Sequence, residues 1–196
     1  MRIILATSNQ GKVKEFQSWI SEYEVLAYSD VIAPFDIEET GTTFKENALI
    51  KARAVYEKLE DKRDMVLSDD SGISVPLLGG EPGIYSARYA GVGASSQENL
   101  NKLIATLKEK HVVKTPAFYT AAIALVCEQG EFCVHGWMHG EAMAEARGHN
   151  GFGYDPMFIP CGYSQTLGEL DESVKKAFSH RARALELAHI VINSLK

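Results

Sequence analysis

Two carboxylates stand side by side in Leu67-Ser68-Asp69-Asp70-Ser71-Gly72-Ile73, followed by a hydroxyl and a glycine. Adjacent like charges repel, and water or a cation relieves the repulsion. At the C-terminal end of a buried strand, Met65-Val66-Leu67, the pair would sit where α/β sheets bind ligands, with Gly72 turning the chain. The same residues also fit a solvated strand-to-loop turn. A second acidic pair occurs upstream in Glu38-Glu39-Thr40-Gly41. Thr7-Ser8-Asn9-Gln10-Gly11-Lys12 is dense in hydroxyls and amides and ends on a lysine. Such a loop can seat a phosphate against backbone N–H groups and a helix dipole, with Lys12 adding a full charge. It is not a Walker A loop, because Ala6 replaces the first glycine and Val13 the magnesium-binding hydroxyl. An ordinary strand-to-helix turn is the other reading.

Two later stretches could meet the remainder of a ligand. Gly148-His149-Asn150-Gly151-Phe152-Gly153-Tyr154-Asp155-Pro156 mixes three glycines with two aromatics and an acid. Phe152 or Tyr154 could stack on a base while Asp155 accepts its hydrogen bonds, or the aromatics could be tucked into a core. Ser179 is a good helix N-cap, which places His180 and Arg181 in a first turn where the dipole disfavours cations. With Lys175 just upstream, this cluster fits an anionic or keto-bearing partner or a plain charged surface.

The elements that must position these groups follow from periodicity. Ile3 to Ala6 reads as a buried strand, and Val13, Phe16, Trp19 and Ile20 as a helix beginning near Gly11 or Lys12. Val25 to Tyr28 is a second strand, and Met65 to Leu67 a third. Thr43-x-x-Glu46 is a capping box opening a helix with an apolar stripe of Phe44, Ala48, Ala52, Val55 and Leu59. Asn47 and Lys51 lie off that stripe. Ser95-x-x-Glu98 opens another helix, after an irregular glycine-rich stretch from Ser74 to Ala94. Alternation over 118–127 and 132–138 around Gln129-Gly130 predicts a β-hairpin, with a third strand over 141–146. Thr166-x-x-Glu169 is expected to open the last helical region. His135 and His139 lie four apart on a strand, which argues against zinc.

With 196 residues, 45% hydrophobic and 23% charged, the chain can bury a core, and its composition is that of a folded protein. A net charge of −6 speaks against nucleic acid or an anionic membrane as partner. No apolar run approaches the roughly 20 residues needed to span a bilayer. The N-terminal apolar run is too short for a signal peptide. Three cysteines without a C-x-x-C pair suggest reduced thiols in a cytoplasmic protein.

Taken in order, the motifs resemble the inosine triphosphate pyrophosphatases, also called XTP/dITP diphosphatases. The matching pieces are Ala6 to Lys12, Glu38 to Ala48 with Lys51-Ala52, Asp69 to Gly72, Pro82 to Tyr89, Gly151 to Pro156, and Ser179-His180-Arg181. They span essentially the whole chain. The resemblance implies an α/β fold, with an elongated mixed β-sheet flooring a cleft between two lobes and flanked by helices, in a single two-lobed domain over 1–196. It implies hydrolysis of ITP, dITP and XTP to the monophosphate and pyrophosphate by a homodimer using Mg2+, with Mn2+ as a substitute. By the same resemblance, Thr7, Ser8, Asn9, Gln10, Gly11 and Lys12 would hold the triphosphate, with Lys51 close by. Glu39 and Asp70 would position the metal, Asp70 also being the catalytic base, and Ser71 would touch substrate. Phe152, Gly153, Tyr154, Asp155, Lys175, His180 and Arg181 would enclose base and sugar. Two residues depart from the family pattern, Ser8 and Ala182 standing where glycine is frequent.

The residue types suit that chemistry. Magnesium asks for one or two carboxylates plus water and phosphate oxygens, which Glu39 and Asp70 could supply. Lysines and metal would stabilise phosphate charge while water attacks the α-phosphate, Asp70 either deprotonating that water or holding a metal-bound hydroxide. Donors from His180 or Arg181 could pair with a 6-keto group, whereas adenine's amino group would leave them unpaired. Pyrophosphatases for modified pyrimidine triphosphates, and a nucleotide sensor without turnover, are the competing readings.

Overall fold

Ile3-Ile4-Leu5 is wholly apolar and forms β1 (Ile3–Leu5), buried along its length as the interior of a parallel sheet requires. β2 (Val25–Ala27) and β3 (Met65–Ser74) flank it in parallel, Ile3 lying opposite both Val25 and Met65. β4 (Lys114–Cys127), β5 (Gly130–Met143) and β6 (Phe158–Pro160) complete a six-stranded sheet in the order β2-β1-β3-β4-β5-β6. β6 runs antiparallel to β5, so the sheet is mixed. Among the described residues five α-helices accompany it: α1 (Gln10–Trp19), α2 (Phe44–Lys58), α3 (Ser96–Glu109), α4 (Glu172–Phe178) and α5 (His180–Ser194). The computed structural model describes residues 2–8 and 10–195. No helix among the described residues is long and apolar enough to cross a membrane. The α/β class expected from the sequence is the one observed.

Contacts divide the chain into two compact units. The first comprises the chain through Asp70, Ala121–Gly136 and the segment from Arg183 onward; the second comprises Ser71–Thr120 and Trp137–Ala182. Strand alternation builds two cores in the first unit. Ile3, Leu5, Met65, Leu67, Ile123 and Leu125 join Val13 and Phe16 of α1 and Leu185, Ala188 and Ile192 of α5. The intervening residues Ile4, Val66, Ala122, Ala124 and Val126 face the opposite way, against Ala48, Leu49, Ala52 and Val55 of α2. The second unit has its own core, with Ile73, Leu100, Leu103, Leu107, Tyr119, Met157 and Phe158. Each fully buried Leu or Ile contributes about 1.5–3 kcal/mol.

Four local expectations change. β3 does not stop at Leu67: it runs on through Asp69, Asp70, Ser71 and Gly72 to Ser74. Gly72 does not turn the chain; it leaves room for a neighbour, since a Cβ there would stand 2.5 Å from the Gly83 carbonyl oxygen. Ser86 fills that space, accepting from the Ile73 N–H at 3.0 Å and donating to Gly83 at 2.6 Å. The separate strand expected over 141–146 is the continuation of β5 through Met143, and its further neighbour is β6. At Thr166 only half of the box forms: its N–H reaches the Glu169 carboxylate at 2.8 Å, but its hydroxyl donates to the Arg147 carbonyl at 2.8 Å and the Glu169 N–H goes to the Thr166 carbonyl at 3.0 Å. This half-box closes a turn, and α4 begins later behind Asp171, whose carboxylate caps the Ser173 N–H at 2.8 Å. Asn47, off the apolar stripe, is nevertheless fully buried. Its side-chain oxygen accepts the Gly41 N–H at 2.8 Å, while its amide nitrogen is buried with no hydrogen-bond partner among the described residues.

Candidate active site

The loop after β1 is pinned at its start, Ala6 donating to the Leu67 carbonyl at 2.8 Å and Thr7 to Leu5 at 2.7 Å. Thr7 is half-buried, while Ser8 and Gln10 are exposed. Asn9 lies outside the described residues. Gly11 and Lys12 fall in the first turn of α1, which carries no acidic residue to oppose the positive end of the dipole. Lys12 reaches across to β3, its Nζ lying 2.9 Å from Oδ1 of buried Asp69. The Gln10 amide lies 3.4 Å from both carboxylate oxygens of Asp30.

Of the second acidic pair, Glu39 is held by α2. Thr43 caps that helix through the capping box with Glu46, whose carboxylate also takes the Thr42 N–H at 2.6 Å. Gly41 approaches so closely that a Cβ would lie 2.6 Å from the Asn47 side-chain oxygen. This tight turn brings Glu39 over the helix. There Lys51 Nζ lies 2.7 Å from Glu39 Oε1 and 3.4 Å from Asp70 Oδ1. Burial pushes the Asp70 carboxyl up, Lys51 pulls it down and Glu39 pushes it up again, with a net rise. Burial works against the Lys51 charge, but Asp70 and Glu39 outweigh it and its pKa is raised. Lys51 therefore stays an ammonium. Asp70 Oδ2 is buried and within hydrogen-bond geometry of no donor among the described residues. The Asn47 amide, itself buried without an acceptor among them, still draws the Asp70 carboxyl down, to a lesser degree than Lys51.

That oxygen is the test of whether the residues suit a divalent cation. A buried carboxylate oxygen without a donor is costly unless something positive completes it. Glu39 and Asp70 both turn to one ammonium, so their local charge is negative. Among the described residues no cluster of three or more His, Cys, Asp or Glu side chains is placed to cage a metal. Magnesium needs no such cage, being satisfied by one or two carboxylates plus water and phosphate oxygens. The donor set fits it.

The second unit gathers the later motifs. Arg181 Nη2 lies 3.4 Å from Ser71 Oγ, at the first turn of α5. Ser179 caps that helix as expected, its hydroxyl accepting the Ala182 N–H at 3.1 Å. The two aromatics of the glycine-rich loop part company. Tyr154 is buried and its hydroxyl donates to the Ser86 carbonyl at 2.7 Å. Phe152 is 62% exposed, with Lys175 Nζ 4.6 Å and the Arg181 guanidinium 5.9 Å from its ring centre. Gly153 adopts φ +62°, the left-handed turn between them. Asp155 is buried at 2% exposure and accepts from the Phe152 N–H at 2.8 Å, from the Lys175 ammonium and from the Tyr119 hydroxyl at 3.3 Å. His180 is buried as well, stacked on Tyr119.

Structure thus groups Lys12 with Asp69, Glu39 with Lys51 and Asp70, and Phe152 with Asp155, Lys175, His180, Ser71 and Arg181. Sequence reasoning missed what three residues do: Asn47, off the apolar stripe of α2, Ser86, in the irregular glycine-rich stretch, and Tyr119, in a strand legible only by its alternation. Each role appears only through the partner that folding brings to it.

These features define an open mixed α/β sheet bearing lysine–carboxylate pairs after β1 and on β3, and a cation-topped aromatic loop before β6. The chain belongs to the Ham1 family, whose model matches residues 3–189. It is 60% identical over 195 residues to the dITP/XTP pyrophosphatase of Nautilia profundicola, covering 100% of this chain and 99% of that one. The dITP/XTP pyrophosphatase of Sulfurovum sp. is 60% identical over 200 residues, with coverage of 100% and 95%. Among solved structures, the Staphylococcus aureus Ham1 protein matches with a TM-score of 0.90 and 36% identity, over 100% of both chains. A HAM1 protein from Coxiella burnetii gives 0.90 and 37%, over 99% of both.

Proposed function

We propose that this chain hydrolyses non-standard purine nucleoside triphosphates (ITP, dITP and XTP) to the nucleoside monophosphate and pyrophosphate. Relatives 60% identical over at least 95% of their length bear the name dITP/XTP pyrophosphatase, which supports the substrate class. The observation that carries the chemistry is Asp70, a buried carboxylate with a raised pKa, one oxygen on Lys51 and the other without a donor. Perturbed carboxylates of this kind mark catalytic bases.

In this reading Thr7, Ser8, Asn9, Gln10, Gly11 and Lys12 bind the triphosphate, the backbone donors and the start of α1 supplying the positive field. Lys51 neutralises charge as it develops on the phosphates. Glu39 and Asp70 would hold Mg2+, with Mn2+ as a substitute; bound there, such an ion offsets phosphate charge and acidifies water. Asp70 takes the proton of the water attacking the α-phosphate, and pyrophosphate leaves. Lys12 lies 2.9 Å from Asp69, which favours reading Asp69 as a support for the loop rather than a second base. Phe152 offers its exposed face to the purine, while Gly153, Tyr154, Asp155 and Lys175 shape and charge that loop. Ser71, His180 and Arg181 complete the base and sugar contacts. Donors at His180 and Arg181 favour a 6-keto group, and a 6-amino group would leave them unpaired at about 1–3 kcal/mol each. One two-lobed domain, working as a cytoplasmic homodimer, completes the proposal.

The test is pyrophosphate release from ITP, dITP, XTP, GTP, ATP and a pyrimidine triphosphate, with and without magnesium. Metal-dependent turnover of ITP, dITP and XTP well above that of GTP, ATP and the pyrimidine is expected, the rejection of GTP resting on its 2-amino group because it shares the 6-keto group. Equal turnover of ATP and ITP would overturn the selectivity argument, and preference for the pyrimidine would overturn the substrate class.

A further inference from the structure

Tyr119 lies outside every motif used above, in the interior of β4, at 7% exposure. A residue there is expected to fill the core, and its ring does meet Phe158 edge-on at 4.8 Å. Its other contacts are not those of a filler. The ring lies parallel to the His180 imidazole, 4.7 Å between centres and 10° between planes. Its hydroxyl donates to Asp155 Oδ1 at 3.3 Å, while Oδ2 receives the Phe152 N–H and the Lys175 ammonium. Asp155 is therefore the internal template of its loop. Gly151, at φ +73°, has no side chain because a Cβ would run into that carboxylate. Phe152 is thereby tied by its backbone to a buried acid while its own ring stays exposed.

We propose that Tyr119 is a positioning residue for base recognition: its hydroxyl orients Asp155, and hence the Phe152 loop and Lys175, while its ring sets the plane of His180. This deepens the functional reading above and rests on it. One buried side chain then links the loop before β6, α4 and the first residue of α5. The hydroxyl is suited to the task because burial, and next the Asp155 charge, raise its pKa well above that of an ordinary tyrosine, keeping it a donor. Removing it leaves a buried carboxylate short of one partner beside Lys175, which changes the geometry of the loop more than the volume of the core.

Two variants separate this from plain packing. Tyr119→Phe keeps the stacking and loses the donor. Its KM for dITP should rise about tenfold, the scale of a lost hydrogen bond to a charged acceptor, with kcat within about twofold of wild type. Inhibition by inorganic tripolyphosphate, which has no base, should be unchanged. Tyr119→Leu also loses the ring, and the His180 ring-proton resonances should move away from their stacked positions, whereas Tyr119→Phe should keep them. A wild-type KM in Tyr119→Phe would overturn the proposal. So would KM and the tripolyphosphate inhibition constant rising together, since that signals general loosening. If the wild-type protein turned over none of the purine triphosphates, the functional reading would fall instead. The His180 spectra would still decide the positioning role, because they do not depend on turnover.

Discussion

Asp70→Asn removes one charge and almost no volume from the centre of the proposed chemistry. Its consequences for rate and stability have opposite signs. As general base, Asp70 should contribute about 10²–10⁴ in rate, or about 2.7–5.5 kcal/mol of barrier. In the folded protein without metal, however, the same carboxylate is poorly placed. It is buried, it competes with Glu39 for Lys51, and its Oδ2 lacks a donor. An unsatisfied buried acceptor costs about 1–3 kcal/mol, and an amide removes the repulsion while leaving Glu39 on Lys51 at 2.7 Å. The variant should therefore melt at the wild-type temperature or up to several degrees above it, about 2–4 °C per kcal/mol for a chain of this size. Because the folded pKa of Asp70 is raised, its contribution to stability is present in acid and lost as pH rises through that pKa. The stability gap between variant and wild type should accordingly open at neutral pH and close as the solution is acidified. Single-turnover pyrophosphate release with dITP, together with metal-free melts across pH, reads both effects. Turnover within tenfold of wild type would refute Asp70 as base. A melt several degrees lower would refute the account of its strain.

Two other perturbations test the groups around it. Lys12→Ala takes the ammonium from Asp69; with Lys12 about a third exposed, the stability loss should be only about 1 kcal/mol, but kcat/KM for dITP should fall sharply. Adding Asp69→Asn should recover the melting temperature and not the activity, and recovery of both would show that Lys12 serves only Asp69. Gly72→Ala should destabilise by about 1–3 kcal/mol because its methyl group would press on Ser86 and on the Gly83 carbonyl; an unchanged denaturant midpoint would refute that packing.

Most of the fold was legible because burial here follows strand alternation and helix stripes. Ile3, Ile4 and Leu5 distribute themselves to opposite cores as period two requires, and the boxes at Thr43 and Ser95 start helices where their hydrogen bonds predict. The failures share a cause. Thr166 and Glu169 make only half of such a box and no helix follows, because the Thr166 hydroxyl is drawn away to the Arg147 carbonyl. Polar Asp69 to Gly72 looked like the end of a strand, yet Gly72 continues it because Ser86, fourteen residues on, occupies the space a side chain would fill. Local pattern reports which groups need partners; it does not report which partners arrive from far along the chain.

The same distinction separates the two adjacent aspartates. As residues in sequence they are equivalent, and only their neighbours differ. Consecutive strand residues point to opposite faces, so Asp69 meets Lys12 from α1 whereas Asp70 meets Lys51 from α2. Asp69 is matched by an ammonium at 2.9 Å, the distance of a full charge-assisted hydrogen bond. Asp70 has its ammonium at 3.4 Å, shares it with Glu39, and keeps one buried oxygen unfilled. A carboxylate already neutralised has little to offer a water molecule or a cation. One held short of its partners in the folded state gains most when substrate and metal arrive. Under the proposed function, alternation along β3 thus turns two identical residues into a support and a reactive group.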